Sequence, residues 1–277
     1  QLDSNNYWIQ HFTALCYLNQ GEYRAALAGF SNCISRRGDY DWPYMLRALC
    51  YAYLGRNDEA LTDFASALKI DPDFSAVLVN RGAVLLTLGR LDEAVDDLTE
   101  ASNLTPLSAK PLVNLAQVHV ARADAIAEGA EDGPYADLEL VERQASEQRE
   151  LTKALEALKK ASTAERAPNH PGIHQLRGRL LDRQGNTDGA ITSLTEHIRV
   201  ELDRKPQAKA ESYKSIGYIH FRAGNDEDHE KALAAFQSAA DLVPNDPETT
   251  GMIAETYLQL RDFEAAQREF EKYIDLV

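Results

Sequence analysis

Few residues in this chain have the type and spacing that chemistry needs. His170 and His174 stand four apart, the interval that turns two imidazoles toward one metal from a helix face, but Pro171 and Gly172 lie between them at a helix start. That setting suits a surface cap better than zinc. Cys16, Cys33 and Cys50 are an odd set crowded into the first fifth of the chain, so they do not make a complete framework of internal disulfides. They read as buried small apolar filler in a reducing cytoplasm. His119 and His220 occupy a column that elsewhere holds Tyr or Leu, which marks core histidines bonded to a neighbour rather than acid–base catalysts. The acidic run Asn225-Asp226-Glu227-Asp228-His229-Glu230 lacks the alternating carboxylates and glycine of a calcium loop and reads as a solvated lengthening of a turn. No glycine-rich phosphate loop, G-x-S-x-G elbow, H-E-x-x-H or paired C-x-x-C is found. The expectation is a non-enzyme with no catalytic residue, no cofactor and no metal.

Composition narrows the partners. Of 277 residues 44% are hydrophobic, enough for a real core, and Asp and Glu number 44 against 29 Lys and Arg. The resulting net charge of −15 repels nucleic-acid phosphates and anionic lipid. No apolar run approaches the roughly 20 residues of a membrane span, and no secretory leader opens the chain, so neither nucleic acid nor direct membrane insertion is expected. The absence of an initiating Met, and an end at Val277 inside an amphipathic helix, suggest a segment of something longer.

The elements that must position any binding surface follow from a repeat. Ala26, Ala60 and Ala94 recur every 34 residues, and Ala154, Ala190, Ala232 and Ala266 continue the column with insertions. Four residues after each stands Phe30, Phe64, Leu98, Leu158, Leu194, Phe236 or Phe270, on the same helical face. An upstream column is small throughout: Ala14, Ala48, Gly82, Ala116, Gly178, Gly217 and Ala254 let a second helix approach closely. Gly21, Gly55, Gly89, Gly185 and Gly224 mark the turn between the two helices, and Pro72, Pro106 and Pro244 close three of the second helices. Each unit is an antiparallel helical hairpin.

In this order of small residue, aromatic or Leu, Gly turn, Ala, Phe or Leu, and Pro, the runs 44–72 and 78–106 resemble tetratricopeptide (TPR) repeats. The resemblance implies an all-α, right-handed α-solenoid of seven helix-turn-helix repeats, near 7–40, 41–74, 75–108, 109–168, 171–204, 210–246 and 247–277. A helical-hairpin insertion is expected at 124–153 of the fourth. There the first helix should run on through Ala125, Ile126 and Ala127, and a long helix after Pro134 should carry Leu138, Val141, Ala145 and Leu155. The stretches Asn6-Tyr7-Trp8, Ala14 to Leu18, Val79 to Gly82 and Val113 to Gln117 are also similar to the repeat tails behind the kinase domain of multidomain bacterial Ser/Thr protein kinases. That likeness implies a regulatory region docking in cis on a larger enzyme.

Function then rests on shape, since stacked hairpins present a groove lined by first helices. The register places Trp8, His11, Phe12, Leu15, Trp42, Met45, Leu46, Leu49 and Tyr53 on this face in the first two units. From the third onward it turns amide and basic, through Asn80, Lys110, Asn114, Gln117, Gln175, Arg179, Arg183, Lys214 and Arg222. Packing accounts for the apolar end as well as an anchor site for a peptide or helix does. The polar stretch suits an acidic or carboxylate-bearing peptide. Chaperone-binding relatives hold a terminal carboxylate with Lys and Asn on one first helix, Asn on the next, and Lys and Arg on the third. Asn80 and Lys110 match that set, whereas Met45, Leu49 and Asn114 replace the other three. The expected function is a protein-interaction scaffold, with self-association through Phe263, Phe270 and Tyr273 of an uncapped last repeat as a further expectation.

Overall fold

A computed structural model of the chain describes residues 2–129 (side chains from Tyr7), 139–164, 171–201 and 205–277. Apolar residues recurring at three and four make every described element a helix, in pairs. These are α1 (Leu2–Asn19) with α2 (Tyr23–Arg36), α3 (Asp41–Tyr53) with α4 (Asn57–Ile70), α5 (Ser75–Thr87) with α6 (Leu91–Leu104), and α7 (Ala109–Glu128) with α8 (Leu140–Thr163). Then come α9 (Pro171–Arg183) with α10 (Thr187–Val200), α11 (Pro206–Ala223) with α12 (Asp226–Leu242), and α13 (Pro247–Gln259) with α14 (Phe263–Leu276). They form two compact units, Gln1–Arg166 and Ala167–Val277.

The two columns meet inside each hairpin. Phe30, Phe64 and Phe236 are fully buried, each contributing about 2–3 kcal/mol by leaving water. They reach that depth because the facing residue is small. A methyl added at Gly82 would lie 2.8 Å from Leu98, and at Gly217 2.6 Å from Phe236. Gly21, Gly55, Gly89, Gly185 and Gly224 all turn with positive φ. At the equivalent place in the last repeat stands Arg261, held at φ 62° without glycine's freedom.

In the first unit α1, α3, α5 and α7 touch one after another, while no two second helices lie as close, so the first helices make the inner face. In the fourth repeat the described residues show the expected lengthened hairpin. The insertion lengthens both helices of the pair: α7 continues through Ala125, Ile126 and Ala127 to Glu128, and α8 starts at Leu140. Leu138 and Pro134 lie outside the described residues. Val141 and Ala145 are exposed and Leu155 half-buried, so the buried stripe of α8 is instead Glu150, Leu151, Ala154, Ala157, Leu158 and Ala161. Among the described residues α8 packs chiefly on α7.

The acidic run is likewise no loop. Asn225 caps α12, its Oδ1 accepting the Asp228 N–H at 3.0 Å, and Asp226, Glu227 and Asp228 fill the first turn. Three carboxylates there face the positive end of the helix dipole.

Candidate partner-binding face

On the first unit the inner face is built from three columns of the first helices. One carries Trp8, Trp42, Ala76 and Lys110; the next Phe12, Leu46, Asn80 and Asn114; the third Leu15, Leu49, Ala83 and Gln117. Trp8, Phe12 and Trp42 are 43%, 57% and 51% exposed, large values for rings of this size. They are nonetheless ordered by contacts: Trp8 stacks on Phe12 at 6.1 Å, and Trp42 leans on Phe74 at 5.1 Å. Leu15 and Leu49 are half-buried between them. Beyond the small Ala76 and Ala83, Lys110 and Gln117 are exposed and Asn114 is half-buried. Asn80 Nδ2 donates to the Ala76 carbonyl at 2.8 Å, so this amide is turned back onto its own helix.

Of a fourth column, three residues before each small residue, His11, Met45, Gln175 and Lys214 were expected on this face, and all but the half-buried Gln175 are buried. Met45, Val79, Val113 and Lys214 are all buried, as is His11 at the start of the series. Lys214 shows why, since it reaches Glu248 on the next first helix, at 2.6 Å. The column packs between neighbouring first helices, so Met45 and Lys214 leave the candidate set. Glu211 at 2.8 Å and Asp246 at 3.6 Å complete the cage of Lys214. Burial would lower its pKa, but the bonds to Glu211 and Glu248 hold it well above the ordinary value. Tyr218 donates to the same Glu248 at 2.9 Å, and burial with that bond pushes its hydroxyl up to about 12. Leu46 is buried too.

In the second unit Arg179 and Arg183 are exposed and Gln175 is half-buried. Arg222 gives its guanidinium to Asp182 at 2.5 Å, so an outside anion would share it with that carboxylate. The basic stretch is thus less basic than its composition.

His170 lies outside the described residues, so the metal pair with His174 finds no geometry here. Among the described residues no three His, Cys, Asp or Glu side chains gather as a metal would require. His119 and His220 are bonded to neighbours as expected, Nδ1 to Glu150 at 2.7 Å and to Asp228 at 3.1 Å. Cys33 and Cys50 are buried filler, the thiol of Cys50 raised to about 11 by burial. Cys16 is not, and lies exposed among Trp8, Ile9 and Phe12.

Three polar clusters went unread in the sequence. Arg47 holds Asp63 with two bonds at 2.6 and 2.7 Å, and Arg81 holds Asp97 the same way at 2.7 and 2.6 Å, tying first to second helix. Both partners recur at the 34-residue period, a signal that was available. His197 lies 2.7 Å from Ser212 Oγ and 3.5 Å from Glu201, a Ser-His-Glu series that resembles a hydrolase triad. Ser212 is only 1% exposed, so no substrate reaches its oxygen.

Two models described as tetratricopeptide repeat match the sequence, one at 45–108 and 176–247, the other at 225–275, together more than half of the chain. The chain belongs to the tetratricopeptide repeat family. Among solved structures it is similar to a thermophilic TPR protein of Thermus thermophilus, with 25% identity and TM-score 0.54 over 79% of this chain and 99% of that one. MamA from Desulfovibrio magneticus matches at 19% identity and TM-score 0.54 over 70% of this chain and 94% of that one. Human IFIT1, solved as a dimer with m7Gppp-AAAA, matches at 15% identity and TM-score 0.60, over 99% of this chain and 65% of its own. The last two likenesses concern the fold alone. No curated protein matches the sequence significantly. The TPR hairpins account for all fourteen described helices, none of which is long and apolar enough to cross a membrane.

Proposed function

We propose that this TPR chain is a non-catalytic scaffold whose first unit holds a protein segment on the inner face. Trp8, Phe12, Trp42 and Leu49 anchor apolar side chains of the segment, and Lys110, Asn114 and Gln117 meet its backbone and acidic groups. The observation that carries this reading is the exposure of both tryptophans of the chain in one column of that face. Asn80 contributes through its carbonyl oxygen, its N–H being engaged. Arg179 and Arg183 offer the second unit a weaker version of the same chemistry. The exposed Phe263 and Ile274 of α14 support self-association through the last repeat as a separate part of the proposal.

The two tryptophans are also the assay. Retention of proteins from native lysate, compared between the parent chain, Trp42→Ala and Lys110→Ala, identifies the partner. Titrating its bound segment is then expected to move tryptophan emission to shorter wavelength, with Trp42→Ala weakening affinity by about tenfold or more, the scale of a hot-spot ring. Equal retention by all three proteins, each with unchanged helicity, would defeat the groove reading. It would favour the cis-regulatory role implied by the kinase-tail resemblance.

A further inference from the structure

Between the second helices α6 and α8 lies a cleft of about 480 Å³, floored by Leu112, Leu115 and His119 of α7. It belongs wholly to the first unit and is separate from the inner face. The floor imidazole is only 7% exposed, and its Nδ1 sits 2.7 Å from Glu150 Oε2. Lys153 Nζ bonds the other oxygen of Glu150 at 2.6 Å. Burial raises the pKa of Glu150, but the bonds from Lys153 and His119 outweigh it and hold the carboxyl below its ordinary value. An ionised Glu150 accepts the Nδ1–H, which fixes the tautomer and leaves Nε2 as the ring's unengaged nitrogen. Lys160 and Asn103, on opposite walls, also have no side-chain partner among the described residues.

Packing does not demand a histidine and an acid at these two places. One repeat in the series fills the same pair of positions with Tyr51 and Arg56, the guanidinium 4.6 Å from the ring, and another with Leu85 and Arg90. We propose that the α6–α8 cleft binds a small organic oxyanion, a phosphate or carboxylate group. Lys160 and the Asn103 amide take its oxygens, and Pro106, Leu112 and Leu115 take the apolar body. His119 completes the site as a donor: the bound anion draws a proton onto Nε2, and Glu150 stabilises the imidazolium. Binding therefore takes up a proton and strengthens as pH falls. The charged groups around His119 are Glu150, Lys153, Glu156 and Lys160 of α8, and Arg122 of α7, which is paired with Asp92 of α6.

The test is the imidazole titration of His119, followed by NMR in the whole chain with phenyl phosphate, benzoate, inorganic phosphate or neutral benzyl alcohol. A raised His119 pKa in saturable response to phenyl phosphate or benzoate is expected, and the stronger of the two names the head group. Inorganic phosphate should act more weakly, lacking the apolar body. Lys160→Gln, at an exposed position that leaves the fold alone, should weaken the response about tenfold. No response to any anion at millimolar concentration would overturn the proposal. So would an equal response to benzyl alcohol, or one unchanged by Lys160→Gln.

Discussion

At the scale of single residues, four of the described histidines sit in places that disfavour charge. Burial holds His11, His119, His174 and His197 below the ordinary value of 6.5, in His119 and His197 against the opposing pull of a nearby glutamate. A base whose folded pKa is lowered binds its proton first in the unfolded chain, so stability falls as pH drops through 6.5. Glu150, lowered in the fold, adds stability that is complete above 4.5 and is lost as pH falls further. Urea midpoints are therefore expected to be lower at about pH 5.5 than at about pH 7.5. Equal midpoints would mean these rings are solvated. The cluster of His11 with Tyr7, Trp8, Phe12 and Phe30 makes the apolar end of the proposed binding face part of this response.

At the scale of the helical pair, two backbone positions decide how well a hairpin closes. Gly217 faces the fully buried ring of Phe236 with no room for a methyl group. Gly217→Ala is expected to cost about 1–3 kcal/mol through overpacking, after roughly 1 kcal/mol of gained helix propensity has been offset. Thermal unfolding measures it, and an unchanged midpoint would show that Phe236 can move. Arg261 presents the opposite case, a side chain in a turn where five other repeats use glycine. Arg261→Gly should stabilise the last hairpin by about 1 kcal/mol, the cost of a left-handed non-glycine residue.

For the molecule as a whole, the pairing of hairpins with their sequence neighbours inside each unit makes stability nearly a sum of local terms. Each of the two units carries its own buried phenylalanine or leucine series. A fragment spanning 167–277 is thus expected to keep its helicity and a cooperative unfolding transition. Circular dichroism with urea titration tests this, and a fragment without a transition would refute it. Net charge acts at this scale too: with −15 overall, the acidic segment proposed above would be held by local cations such as Lys110, and its capture is expected to weaken with salt.

The sequence by itself determined the helical pairs, their turns and their packing columns, because each is set by side-chain size at fixed intervals: Gly82 under Leu98, Gly217 under Phe236, glycine at the positive-φ turns. Helical periodicity also assigned Trp8, Phe12, Trp42, Lys110 and Gln117 to one side of the first helices, and all five are exposed. It did not reveal that Met45 and Lys214 share a column buried against the next first helix, because that burial comes from the neighbouring repeat and not from their own helix. Nor did it show Arg222 paired with Asp182, 40 residues away, or Glu150 beside His119, 31 residues away. The spacing of residues along one helix is local information. Which charges cancel and which rings stay open is decided only when separate helices meet.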